Sequence, residues 1–195
     1  MRARLIYSKR GGACFVPHIA LAQIFSRSAL RSGLSLIMTQ GFSPRAKISF
    51  APELPAGVVA LNEPVDMYFD EPPTDITTLM NESLPEGFHV SRVLFPEEDS
   101  PSLGKVCKYA EYLIRNTEGH ELGDLARNFF GASLFRMSDA DEWLRIILTE
   151  PAQNPIGGLV KHLKAENVIE GWHQMNIVRI AIGGYDTEGD CVCLR

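Results

Sequence analysis

Two kinds of apolar spacing alternate along this chain, and their order restricts the fold more than any single motif does. Arg2 to Ser8 alternates with the two-residue period of a strand, and Gly11-Gly12 breaks it. After Pro17, which suits a first helical turn, Ile19, Leu21, Ile24, Phe25 and Leu30 fall at helical spacing. Gly33 then stands where a left-handed cap is needed. Leu34 to Met38, Lys47 to Ala51 and Val65 to Phe69 read as strands between Gly- and Pro-rich turns. Pro72-Pro73 and Thr74 introduce a short helix with Ile76, Leu79, Met80 and Leu84 on one side, and Phe88 to Phe95 follows as a closing strand.

The second half repeats this order. Lys105 to Arg115 predicts a strand, Glu121 to Phe130 a helix, and Leu134 to Met137 a strand. Asp139 to Glu142 predicts a hairpin turn into a strand over Trp143 to Thr149, followed by a helix from Pro155 to Ala165 and a strand from Met175 to Ile182. Pro96 to Gly104, with three acids and two prolines, reads as a linker. The expected fold is α+β: two ferredoxin-like (βαββαβ) subdomains in tandem, residues 1–95 and 105–195, joined by linker 96–104.

With 195 residues, 45% of them hydrophobic and 22% charged, the chain has enough material for a core and is neither collagenous nor disordered. Its apolar runs stop well short of a membrane span, and no secretory signal opens it, so a cytoplasmic protein without membrane contact is expected. Cys14, Cys107, Cys191 and Cys193 are too scattered for a disulfide framework. Cys191 and Cys193 lack a second ligand pair, so neither a metal site nor an iron-sulfur cluster is expected. The phosphate-binding loop, dinucleotide fingerprint, zinc-protease His pair and nucleophile elbow are all missing, and no cofactor is expected.

Charge is segregated along the chain. Residues 1–50 carry eight Lys and Arg and no acid, whereas residues 51–104 carry eleven acids and only Arg92. An unopposed basic block is a candidate phosphate footprint, unless the acidic block folds back to neutralise it. Gln23, Arg27 and Arg31 are spaced by four and share one helical face. The loop Gln40 to Lys47 adds Gln40, Phe42, Arg45 and Lys47. Cations for phosphates, a ring for stacking and an amide for a base edge are the mixture used by single-stranded RNA sites. The competing reading has Phe42 anchoring its loop in the core. His18, at the helix start, faces the positive end of the helix dipole, which disfavours imidazolium. A neutral His18 beside these cations is the candidate acid or base.

The segments Phe15 to Leu21, Arg27 to Leu34, Gln40 to Ala51, Leu54 to Val58 and Leu84 to Phe88 together resemble a bacterial family, the radical SAM-linked DUF2344 proteins. The resemblance is dense over residues 1–95 and thinner beyond. Where relatives commonly carry Ser-His-Leu-Asp, this chain has Pro17-His18-Ile19-Ala20: the His is kept, but a hydrolytic role for that Asp is not available here. Family membership implies a separate radical SAM B12-binding-type protein as partner. By the ribonuclease and ribosomal-protein genes that accompany relatives, it also implies a link to RNA or ribosome maturation.

The expected function is therefore a non-enzymatic, RNA-binding accessory module working with a radical SAM enzyme. The alternatives are a metal-independent endoribonuclease using His18, and a protein-protein adaptor docking through the acidic Glu53 to Asp99 block.

Overall fold

The computed structural model describes residues 1–71, 74–185 and 191–193; Pro72-Pro73, expected to introduce a helix, and the side chains of Cys191 and Cys193 lie outside the described residues. The first half runs β1 (Arg2–Lys9), α1 (His18–Arg31), β2 (Ile48–Phe50), β3 (Val59–Tyr68), α2 (Ile76–Ser83) and β4 (Phe88–Leu94). The second runs α3 (Leu103–Val106), β5 (Tyr109–Asn116), α4 (Gly123–Phe130), β6 (Leu134–Ala140), β7 (Trp143–Thr149), α5 (Ile156–Ala165), β8 (Met175–Tyr185) and β9 (Cys191–Cys193). The class is α+β, as expected.

All the described strands join one sheet in the order β4-β1-β3-β8-β5-β7-β6, with β2 also on β3 and β9 also on β8. Every pairing is antiparallel except the seam between the halves, where β3 meets β8 in parallel at Val59↔Val178 and Ala60↔Arg179. On that side of β3, β8 takes residues 59–60 and β2 takes residues 65–67. The stretch between them holds Pro64, which has no amide proton for a second ladder.

Two apolar cores lie on this sheet. In the first, Leu21, Phe25 and Ala29 of α1 pack on Leu5, Tyr7, Val65 and Met67. In the second, Leu159, Val160 and Leu163 of α5 pack with Ala110, Tyr112 and Ile146, and Ala51, Leu54, Val58 and Ala60 from the first half join them. The halves thus share core as well as sheet.

The Gly33 expectation is met in detail. Its φ is +73°, and Gly33 N–H donates to Leu30 O while Leu34 N–H donates to Ala29 O, the paired bonds of a Schellman cap. Other expectations are corrected. Leu34 to Met38 makes only isolated bridges, Leu36↔Phe69 and Met38↔Ala46, because β2 already occupies the neighbouring β3 positions. Ile19 and Leu30 belong to the outer face of α1, 89% and 64% exposed, since the buried face follows Leu21, Phe25, Ser28 and Ala29. β5 starts at Tyr109, four residues late, because Leu103 to Val106 winds into a helical turn instead. Residues 97–101 are held against the first half: Arg2 donates to Glu97 O and Ser100 O, and Arg4 to Pro101 O.

Candidate nucleic-acid interface

Because the inner face of α1 is apolar, the residues spaced by four on its other side are turned outward. Gln23, Arg27 and Arg31 are all exposed. Arg31 is partly tethered, donating to Ser28 Oγ at 3.0 Å and to Ser83 O at the end of α2 at 2.6 Å. The Arg27 side chain has no hydrogen bond or ion pair among the described residues.

Residues 37–47 form a short two-stranded ribbon beyond the sheet. Ile37 N–H donates to Tyr68 O and Lys47 N–H to Ile37 O, both at 2.8 Å, while Thr39 N–H donates to Arg45 O at 2.7 Å. Arg45 N–H returns a bond to Thr39 Oγ1 at 3.1 Å. Gln40, Phe42 and Arg45 are exposed at or near the tip, and the Lys47 ammonium stands 4.2 Å from the centre of the Tyr68 ring. Phe42 is fully solvent-exposed, so it does not anchor the loop.

The acidic block neutralises little of the basic one. Among the described residues, Arg4 is the only cation of residues 1–50 in an ion pair, bonding Asp66 through Nε and Nη2 at 2.6 and 2.9 Å. Lys9 is buried, and Arg2 and Arg31 bind carbonyl oxygens.

His18 stands apart from this outer face. It is half-buried at the start of α1, its ring edge-on to Phe50 with centroids 5.6 Å apart. Its pKa is lowered, chiefly by burial; Arg179 and Lys9 add to this, while Glu53 and Glu63 oppose it. Inward from His18 lies a charged cluster that the sequence reading missed. Arg179 on β8 donates to Glu63 Oε1 at 2.7 Å and also to Glu63 Oε2, Pro52 O and Glu53 O. Lys9 donates to Val16 O at 3.2 Å, and burial lowers its pKa. The Cys14 thiol, raised by burial, donates to Lys9 O. Burial opposes the Arg179 charge, but Glu63 and Tyr112 more than offset it and keep its pKa high.

The signal for this cluster was present in the strand alternation. Lys9 follows Ala3, Leu5 and Tyr7 at every second position, and Arg179 follows Met175 and Ile177 in the same way. A charged residue in a core-facing register marks a buried ion pair or a site.

The second half contributes an open cleft of about 960 Å³, lined by Asn116, His120, Leu122, Trp143 and several carboxylates including Asp139 and Asp141. Such a lining repels phosphate. Among the described residues, no group of three His, Cys, Asp or Glu is placed to hold a metal, and no helix is long and apolar enough to cross a membrane.

Fold and surface together define an α+β protein with one continuous sheet, whose first half exposes cations on the outer side of α1 and on the ribbon; Lys47, over Tyr68, lies on the side of β3 turned away from α1. The chain belongs to a bacterial family described as "Uncharacterized protein conserved in bacteria (DUF2344)", whose sequence pattern matches residues 2–152. No curated protein matches it.

Proposed function

We propose that this protein is a cytoplasmic RNA-binding accessory module that presents RNA to a separate radical SAM enzyme of the B12-binding type. The observation that carries the RNA part is the set of exposed cations, Arg27, Arg45 and Lys47, that meet no carboxylate among the described residues, in a chain segment without a single acid. A folded surface that leaves such charges unmatched is suited to a polyanion. The partner follows from the family resemblance alone. Two ferredoxin-like subdomains, residues 1–95 and 105–195 around linker 96–104, remain our finer reading of the fold. The neighbour orders β4-β1-β3-β2 and β8-β5-β7-β6 support it.

The test is fluorescence anisotropy with labelled RNA at low salt, comparing wild type with Arg27→Glu and Arg45→Glu. Retention by wild type and loss in both variants is expected; no retention by wild type, or no loss in either variant, removes the RNA reading. Co-purification with the radical SAM protein after nuclease treatment tests the partner separately.

The half-buried His18 at the start of α1, its pKa lowered by burial, favours the endoribonuclease alternative as a second reading. Labelled RNA incubated with wild type and His18→Ala separates the two, since the accessory module binds without cutting.

A further inference from the structure

We infer that the RNA bound by this face is unpaired, and that Phe42 at the tip of the ribbon is the platform on which one of its bases stacks. The inference rests on the RNA-binding reading above and specifies its ligand.

The geometry is that of a projecting arm. The Thr39–Arg45 bonds and the Met38↔Ala46 bridge close the ribbon below its tip, and Gly41 turns the chain there with φ at +142°. Among the described residues, no element covers the ring of Phe42. A large apolar side chain held fully in water by an ordered turn gains nothing for folding, because the burial that stabilises a Phe is absent. What the tip offers instead is a π-face on a stem bearing Gln40, Arg45 and Lys47, in a segment devoid of carboxylates.

The charges select a polyanion over an acidic peptide only in combination with the ring. Phosphates spaced along a strand meet Arg45 and Lys47, while a base released from pairing lies on Phe42 and offers its edge to the Gln40 amide. A regular duplex keeps its bases stacked on one another, so it reaches the cations but not the ring. An isolated protruding ring therefore distinguishes the two forms of RNA.

The experiment compares wild type, Phe42→Ala and Phe42→Trp against a short unstructured RNA and the matching duplex, by anisotropy at low salt. Because Phe42 touches no core residue, these variants keep the fold, which circular dichroism verifies. Phe42→Ala is expected to weaken single-strand binding roughly 5- to 150-fold and to leave duplex binding unchanged. Phe42→Trp is expected to retain binding, with its indole emission quenched by the single strand and not by the duplex. If wild type binds RNA but Phe42→Ala binds the single strand equally well, the stacking inference is overturned and the RNA reading survives. If wild type binds neither RNA, both fall together.

Discussion

Arg179 on β8 and Glu63 on β3 form a bidentate ion pair, both side chains at least 95% buried, across the seam where the two halves meet. The pair reinforces a parallel contact that spans only Val59↔Val178 and Ala60↔Arg179. Arg179 also ties down the Pro52–Glu53 backbone, which leads into residues shared with the second core.

Removing one partner strands a buried charge: Glu63 loses its guanidinium, and Arg179 keeps only the Pro52 and Glu53 carbonyls in place of a carboxylate. Arg179→Ala or Glu63→Ala is therefore expected to cost about 3–5 kcal/mol in urea denaturation. The double replacement Glu63→Leu with Arg179→Met is expected to cost distinctly less than the sum of the single changes, because neither charge is stranded. Additive losses in the double variant would show that the two residues act independently.

His18 makes stability depend on pH in a defined direction. Burial lowers its pKa in the fold, so between that value and the ordinary imidazole value of about 6.5 the unfolded chain binds more protons than the folded one. Stability from this group is complete above about pH 6.5 and declines as pH falls through the window. Thermal melts from about pH 8 to pH 5 are expected to show a shallower decline for His18→Gln than for wild type. Equal slopes would mean that His18 titrates alike in both states.

Two glycines with positive φ differ in what surrounds them. Gly33 has open space where a Cβ would stand, so Gly33→Ala is expected to cost only the left-handed backbone term, roughly 1–2 kcal/mol. At Gly87, φ +88°, a Cβ would lie 2.5 Å from Arg10 O and 2.8 Å from Ala13 Cβ. The same carbonyl-bearing residue, Arg10, receives its own backbone bond by donating N–H to Gly87 O. Gly87→Ala must therefore displace the turn after β1 as well as strain its own backbone, and its loss is expected to exceed that of Gly33→Ala. Equal midpoints in parallel denaturation curves would contradict this.

Much of the fold was legible from local spacing. The strand at Arg2, both helices of the first half and the Gly33 cap depend on neighbours within a few residues, which is where periodicity and capping act. What was missed depends on distant chain. Leu34 to Met38 has strand-like residues but no vacant ladder, and the alternation that marks Lys9 and Arg179 as inward-facing does not name their surroundings, which appear only when β1, β3 and β8 are placed side by side. The exposure of Phe42 was undecided in sequence for the same reason: an aromatic in a turn points inward or outward according to the shape of the surface beneath it.

The cations of the outer face differ in how tightly they are held, and this gives them separable contributions. Arg27 has no partner among the described residues, whereas Arg31 spends its guanidinium on Ser28 Oγ and Ser83 O, bracing α1 against α2. If the face contacts phosphates, Arg27→Ala removes one released counterion, so the slope of log affinity against log salt is expected to become shallower by roughly 0.7–1 without loss of stability. Arg31→Ala is expected to lower stability by about 1 kcal/mol through its lost hydrogen bonds, in addition to any change in slope. Measuring RNA affinity over a salt series alongside denaturation of each variant separates the two roles. Unchanged slope in Arg27→Ala, with stability intact, would place the RNA away from α1.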